Sequence, residues 1–268
     1  MEGAAFERIG HLRPLPLPGG DRAAEEPWRM AAAVLHELGR NDEIVLRCAD
    51  EPGAATVASM LQRNFNCPRS SSLGRVFDAA AGLLGLCHRM KFDAQGAIAL
   101  EQAATRYVGM QGMPQELVGG WKIGPSFPRK QAKRSFELAA KREPSVLIEL
   151  DSRFRGNDEV ESDGADFQLD MLPLLSILAN MQEAEYGAAL LHSTLIAALS
   201  DWAQQASQRS GIKTLTCGGG CFFNKLLAAG LPERMAQAGI ECLFPKTLLP
   251  GDTAISLGQA WIAARRIA

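Results

Sequence analysis

The chain has 268 residues, of which 47% are apolar, enough to bury a sizeable core as one large domain or two small ones. With 28 basic against 30 acidic side chains and a formal net charge of -2, it has no electrostatic signature of a nucleic-acid or anionic-membrane partner. Its apolar runs are too short and too broken by Gly, Pro and charge to span a bilayer. The stretch Met1–Pro18, interrupted by Glu2 and Glu7, does not read as a signal peptide, so a cytoplasmic protein is expected.

The first patterned segment is "HLRPLPLPGGD", His11 to Asp21, where alternate prolines hold the backbone open as an extended arm. "PWRMAAAVLHELG" follows as a helix, with Pro27 at its first position, apolar residues at Met30, Val34, Leu35 and Leu38, and Gly39 as its stop. "TVASMLQRNF" predicts a second helix. "SSSLGRVFDAAAGLLGLC" predicts a third, with serines as caps and one stripe of Val76, Phe77, Ala80, Leu84 and Cys87. "AQGAIALEQAA" predicts a fourth.

From Gly109 to Pro128, glycines and prolines describe loops around Trp121, and the basic run "RKQAKR" reads as a solvated helix face. Residues 149–166 are rich in charge and turn formers and poor in apolar side chains, which predicts a flexible insertion. Its "DSRFRGNDE" resembles the peptide obtained when a dispersed bacterial repeat is translated in frame, and would carry no chemistry.

Helices are expected again over Met171–Met181 and Gly187–Gln205. The last sixty or so residues then alternate: strand Thr214–Cys217, three glycines, helix Asn224–Ala238, strand Ile240–Phe244, a Pro-Gly loop, and helix Ala254–Arg265. In such a βαβα unit, ligands bind in loops at the carboxyl ends of the strands. One loop here carries Gly218–Gly220 and Asn224. The other, Thr247–Thr253, presents Asp252 at a helix start. Glycine between strand and helix serves either a tight βα turn or close approach of a nucleotide to backbone N–H groups. Both readings stand at this point.

The six cysteines include Cys217 and Cys221 flanking the glycines, but no further Cys or His stands at zinc-ligand spacing, and buried structural cysteines are expected. No G-x-G-x-x-G follows a strand, which argues against a dinucleotide fold.

Several segments together resemble one family. "CGGGCFFNKLL" followed by "LLPGDTAISLGQAWIAA" is similar to the end of the HypF carbamoyltransferases of nickel–iron hydrogenase maturation, in their Kae1-like domain. "HLRPLPLPGGDRAAEEPWRMA", "SSLGRVFDAAAGLLGL", "FDAQGAIALEQAA" and "LLHSTLIAAL" agree in order and spacing.

The resemblance implies an α/β lobe of the actin-like ATPase superfamily, with a large helical portion and a C-terminal βαβα unit. It implies ATP or carbamoyl-adenylate as ligand, a divalent metal (Mg, Fe or Zn), and a HypE-like protein whose C-terminal cysteine accepts the carbamoyl group. Position by position, Gly219, Gly220 and Asn224 match the nucleoside-binding Gly-Gly-x-x-x-Asn, and Asp252 matches the acidic metal ligand. Arg75 and Asp78 match the polar face of the "GR-x-FD" helix, where an i,i+3 ion pair is an equal alternative to a nucleotide contact. Gly19, Gly20 and Asp21 match a loop near the site. No catalytic residue is assigned.

Departures from the family limit the expectation. The His-rich metal motif and the Asp-Gly-Thr-Gly-Tyr-Gly turn of the first lobe have no counterpart. None of His11, His36, His88 and His192 forms a His-x-x-x-His pair, and His192 reads as a hydrogen-bonded core position. A glycine and a glutamate of the family are replaced at Ala94 and Ala99. The chain therefore reads as the carboxyl-terminal part of such a protein. The division expected is 1–148 for the arm and helices, 149–166 for the insertion and 167–268 for the second-lobe α/β unit. Two functions follow: an enzyme half that needs a first lobe from another chain, or a non-catalytic remnant that binds nucleotide weakly or docks a HypE-like protein.

Overall fold

In the proline-rich segment the backbone is extended and also paired. The computed structural model describes residues 8–125, 146–149 and 167–267. Strand β1 (Gly10–Leu12) lies parallel to β6 (Phe167–Asp170), and β2 (Leu15–Pro16) pairs antiparallel with β3 (Arg69–Ser70). Leu12 and Leu15 are buried, so apolar residues between the prolines pin the arm to the core. Strand β4 (Lys122–Gly124) completes a three-stranded sheet in the order β1-β6-β4.

After the short helix α1 (Asp21–Glu25), helix α2 runs from Pro27 to Glu37 with Pro27 in its first turn, where a missing N–H costs nothing. Every residue from Pro27 to Leu35 is buried, so α2 is the central rod of the helical part rather than an amphipathic surface helix. Around it stand α3 (Asn41–Arg47), α4 (Ala54–Arg63) and α5 (Leu73–Leu83). The Ser72 side chain caps α5 by accepting from the Gly74 N–H at 3.2 Å. Helices α2 and α5 cross so closely that a Cβ on Gly82 would come 2.5 Å from the Pro27 carbonyl oxygen.

Helix α6 (Gln95–Gln111) packs on α8 (Ala184–Ser210), and the short α7 (Leu172–Leu178) fills the space between α8 and the first helices. An unbroken buried run from Gly187 to Ser200 makes α8 a second central rod. It is 27 residues long, and Gly211 ends it at φ 75°.

The βαβα unit forms as expected. Strand β7 (Thr214–Gly218) pairs parallel with β8 (Glu241–Leu243), with Leu215 opposite Cys242, and helix α9 (Lys225–Gln237) crosses between them. The final helix is α10 (Ile255–Ile267). A further strand, β5 (Val146–Glu149), joins β7 on its other side, giving the order β5-β7-β8. Glu149 is thus the end of a strand opposite Gly218 rather than the start of a loop: "VLIE" is a short apolar run that a parallel sheet accepts. The rest of the expected insertion, 150–166, and the basic run 129–134 lie outside the described residues. Residues on both sides of that segment share the β1-β6-β4 sheet and one apolar core.

Five of the six cysteines are buried as small core side chains, and none of the six is joined in a disulfide. Among the described residues, no helix is long and apolar enough to cross a membrane.

Candidate functional site

At the carboxyl end of β7 the chain passes through Gly218 and Gly219 into a one-turn 3-10 segment, Gly220–Phe223, and from Asn224 into α9. Gly219 has φ 96° and ψ 157°, a region that a side chain tolerates poorly. Its N–H donates to the Pro250 carbonyl at 2.7 Å, which ties this turn to the loop after β8. Gly251, in that second loop, lies so close to Phe223 that a Cβ would come 2.9 Å from the ring. The two loops expected to share a ligand are therefore one connected surface. Among the described residues, nothing lies within 4 Å of where a Cβ on Gly218 would stand. The first glycine leaves backbone accessible, and the second makes the turn.

Asn224 is buried, and both ends of its amide are in use. Its Oδ1 accepts from the Leu227 N–H at 3.1 Å, capping α9, and its Nδ2 donates to His192 Nε2 at 2.9 Å. The His192 Nδ1–H donates to the Ala188 carbonyl at 2.7 Å, which fixes the tautomer with Nε2 as acceptor. Burial pushes the His192 pKa down to about 4, against the Ala188 hydrogen bond that favours the charged ring. His192 is thus the hydrogen-bonded core residue that its position in the sequence predicts. Its ring meets Phe77 of α5 at 5.8 Å, beside Asp78.

A residue that the sequence reading did not single out completes the start of α9. Glu101, on α6, accepts from the Lys225 N–H at 3.0 Å. Its carboxylate occupies the electropositive helix end where a phosphate would otherwise be favoured. No local pattern marks it, because the pair is separated by 124 positions.

Arg75 and Asp78 form the i,i+3 ion pair, with Arg75 Nη2 2.9 Å from Asp78 Oδ2. The approach is close but not aligned as a hydrogen bond, and among the described residues the buried Arg75 Nη1 and Asp78 Oδ2 have no hydrogen-bond partner. Burial raises the Asp78 pKa to about 6, outweighing the opposing charge of Arg75. The Asp78 carboxyl also faces the first turn of α6, its Oδ1 3.5 Å from where a Cβ on Gly96 would be. Ala94 precedes that turn at φ 61° without a side-chain cap, a conformation that favours glycine.

The loop of Gly19, Gly20 and Asp21 is built on α2. Gly19 and Gly20 have φ 92° and 61°, and Asp21 is the first residue of α1. The buried Arg29 donates to the Pro18 carbonyl at 3.2 Å and pairs with Glu26. Burial would raise the pKa of Glu26, but the hydrogen bond from Arg29 and the charges of Arg29, Arg89 and Arg22 outweigh it and hold it below the ordinary value.

Asp252 lies exposed in the 3-10 turn Asp252–Ala254 that leads into α10. Among the described residues no three His, Cys, Asp or Glu side chains are grouped to hold a metal ion. One carboxylate suits a hydrated Mg²⁺ completed by nucleotide phosphates. Iron or zinc would need further protein ligands from outside the described residues.

The family profile described as "Carbamoyltransferase, Kae1-like Domain, second subdomain" matches residues 1–141 and again 131–259. Carbamoyltransferase HypF2 of Cupriavidus necator is 42% identical over 99% of this chain and 31% of its own length. A carbamoyltransferase HypF homolog of the same organism is 42% identical over 97% of this chain and 58% of its own length. The crystal structure of full-length HypF in the phosphate- and nucleotide-bound form shares the fold, with TM-score 0.72 and 24% identity over 98% of this chain and 29% of that one. HypF of T. kodakarensis aligns with TM-score 0.67 and 21% identity. The chain spans between about a third and three fifths of the length of these relatives. Its α/β architecture is that of the HypF Kae1-like domain, of the actin-like ATPase type. The chain belongs to the Kae1-like carbamoyltransferase domain family of HypF, as its second subdomain.

Proposed function

We propose that this chain is the second lobe of a HypF-like carbamoyltransferase of the cytoplasm. It receives the nucleoside of ATP or carbamoyl-adenylate on Gly218, Gly219 and Gly220, and a first lobe closes over the phosphates. The observation that carries this reading is the turn itself: a strained glycine bonded to Pro250, next to a glycine with no described residue within 4 Å of where its Cβ would stand. Because Asn224 and Glu101 already satisfy the start of α9, the turn suits a nucleoside better than a phosphate.

Asn224 would act by holding the turn and by its remaining amide hydrogen. Asp252 would face a Mg²⁺ carried by the nucleotide. Arg75, Asp78 and the Gly19–Asp21 loop would line the same cleft. In the reaction, the C-terminal thiolate of a HypE-like acceptor attacks the carbamoyl carbon. A C–S bond forms, the C–O bond to the adenylate phosphate breaks, AMP leaves with the electron pair, and the thiol proton passes to solvent. The S-carbamoyl product would be the precursor of the cyanide ligand of a hydrogenase iron. The metal motif and phosphate-embracing turn would come from a first lobe, in a longer polypeptide or in a separate chain.

Calorimetry with ATP and Mg²⁺ tests the wall alone. A single wall should bind on the order of millimolar, about 4 kcal/mol. Adding a first subdomain should bring carbamoylation of the acceptor cysteine, read by mass, and Asp252→Ala should abolish it. Micromolar affinity in the chain alone would contradict the half-cleft reading. No transfer in the reconstituted mixture would favour a second reading, a nucleotide-binding or HypE-docking module without catalysis, to which the single carboxylate at Asp252 also points.

A further inference from the structure

Glu26 is only 6% exposed, and guanidinium groups from separate stretches of the chain converge on its carboxylate. Arg29 of α2 pairs with its Oε2, Arg22 of α1 stands 3.2 Å from its Oε1, and Arg89 lies 2.8 Å from the same oxygen. Arg89 belongs to the segment that leads into α6, and it also pairs with Glu51, between α3 and α4. One carboxylate therefore ties the junction of α1 and α2 to the entry of α6. Backbone bonds run the same way. The Met90 N–H donates to the Glu25 carbonyl at 2.9 Å, and the Trp28 N–H to the His88 carbonyl at 3.3 Å.

Arg29 extends this tie to the glycine loop. The Nη1 that donates to the Pro18 carbonyl stands 3.2 Å from where a Cβ on Gly19 would be. Gly19 and Gly20 are both at positive φ, and backbone with so much conformational freedom keeps one shape only against a fixed anchor. The anchor is itself held: Arg29 is 7% exposed, with its Cζ 4.9 Å over the Trp28 ring. On the other side of Glu26, the Pro27 Cγ is 3.7 Å from where a Cβ on Gly96 would be, and Asp78 Oδ1 is 3.5 Å from the same point. The Glu26–Arg29 pair thus connects the Gly19–Asp21 loop to the corner where Asp78 faces the first turn of α6.

A buried ion pair adds little stability over apolar residues of the same volume, because desolvation of the two charges offsets their attraction. What it does supply is direction. The guanidinium fixes its donors in one plane, with Nε committed to Glu26 and Nη1 to Pro18.

We propose that Glu26 and Arg29 are positioning residues of the carbamoyl transfer: without touching the ligand, they hold the Gly19–Asp21 loop at a fixed place relative to Asp78, so that both meet one nucleoside. This rests on the reading of that loop and Asp78 as walls of a single cleft.

Variants of the whole chain test it. Arg29→Met keeps the bulk but strips Glu26 of a buried partner, and should lower the thermal midpoint by about 5 °C or more. Glu26→Gln with Arg29→Met removes both charges and should recover most of that loss. A merely structural role would recover function with the fold, and a positioning role would not. In the double variant the Gly19 and Gly20 amides should exchange with deuterium at least tenfold faster, while those of α8 keep their rates. Mixed with a first subdomain, the double variant should raise the KM for ATP at least fivefold and change kcat less than twofold, the mark of lost ground-state binding. Arg29→Lys keeps the charge without the planar fork, so it should show the same KM shift whether or not the double variant recovers its fold. Arg106→Met, which breaks an exposed pair with Glu185, should change neither readout. Unaltered glycine exchange or a natural KM in the folded variants would overturn the proposal. If the natural chain transfers nothing in the mixture, the transfer reading fails by itself, and saturation-transfer NMR of ATP on the chain alone decides the positioning. A signal that falls at least threefold in the double variant supports it, and an unchanged signal, or none from the natural chain, overturns it.

Discussion

Asn224 and His192 satisfy each other in the interior, the Asn224 Nδ2 donating to the His192 Nε2 at 2.9 Å while the other end of the amide caps α9. Asn224→Ala therefore removes a cap, worth about 1 kcal/mol. It also leaves a buried ring nitrogen unsatisfied, at about 1–3 kcal/mol. The variant should lose about 2–4 kcal/mol in urea unfolding, with the m value unchanged. Asn224→Asp should retain the cap but set an acceptor against Nε2, drawing a proton onto the ring, visible as a raised His192 pKa by NMR. Loss of ligand binding in Asn224→Ala would accordingly not identify a ligand contact, because the turn is disturbed with it.

That double duty also marks the limit of what the sequence reveals. The helices starting at Pro27, Ser72 and Asn224 were legible because a cap or first-turn proline precedes an apolar repeat. Helix α3 was not: only Ile44 among its seven residues is buried, so it has no stripe to read. Strands of two to four residues were missed where pairing decides them, as β1 with β6 across more than 150 positions. At the site, the glycines and Asn224 stood out, since backbone demands are written locally. The use of Asn224 on His192, and of Glu101 on Lys225, is fixed by how α8 and α6 pack on α9. Such packing leaves no trace in spacing.

Two glycines in helices should respond oppositely to alanine. Gly82→Ala drives a methyl to within 2.5 Å of the Pro27 carbonyl between α2 and α5, and should destabilise by about 1–3 kcal/mol through forced separation of the helices. Gly109→Ala on α6 meets nothing within 4 Å at an exposed helical position, and should stabilise by roughly 0.5–1 kcal/mol. Calorimetric melts of both variants decide this, and a neutral Gly82→Ala would mean the α2–α5 crossing is looser than described.

The glycine turn separates fold from ligand at neighbouring positions. Gly219→Ala must adopt φ 96° and should cost about 1–3 kcal/mol. Gly218 is not among the positive-φ glycines and no described residue crowds its Cβ position, so Gly218→Ala should stay within about 0.5 kcal/mol of the natural chain. If a nucleoside lies on this backbone, Gly218→Ala should nevertheless lose the ATP signal in calorimetry or saturation-transfer NMR. Undiminished binding in a fully folded Gly218→Ala would move the ligand off the turn.

The two buried titrating groups near the site should oppose each other with pH. The unfolded His192 ring binds a proton near 6.5, but the folded ring does so only near about 4. The unfolded state thus holds more protons between these values, and this contribution to stability is lost as pH falls from about 6.5 to 4. Asp78 behaves inversely: unfolded it ionises near 3.8, folded near about 6, so its contribution is lost as pH rises through that interval. Across roughly pH 4 to 6 the two slopes largely cancel. Asp78→Asn mimics the protonated carboxyl that the folded chain carries below about pH 6, so relative to the natural chain it should gain stability as pH rises from about 4 to 6. His192→Gln should fall further behind the natural chain over about pH 4 to 6.5. Urea unfolding of the three proteins at four pH values in this range reads both differences. Parallel curves would show that neither group titrates between the folded and unfolded chains.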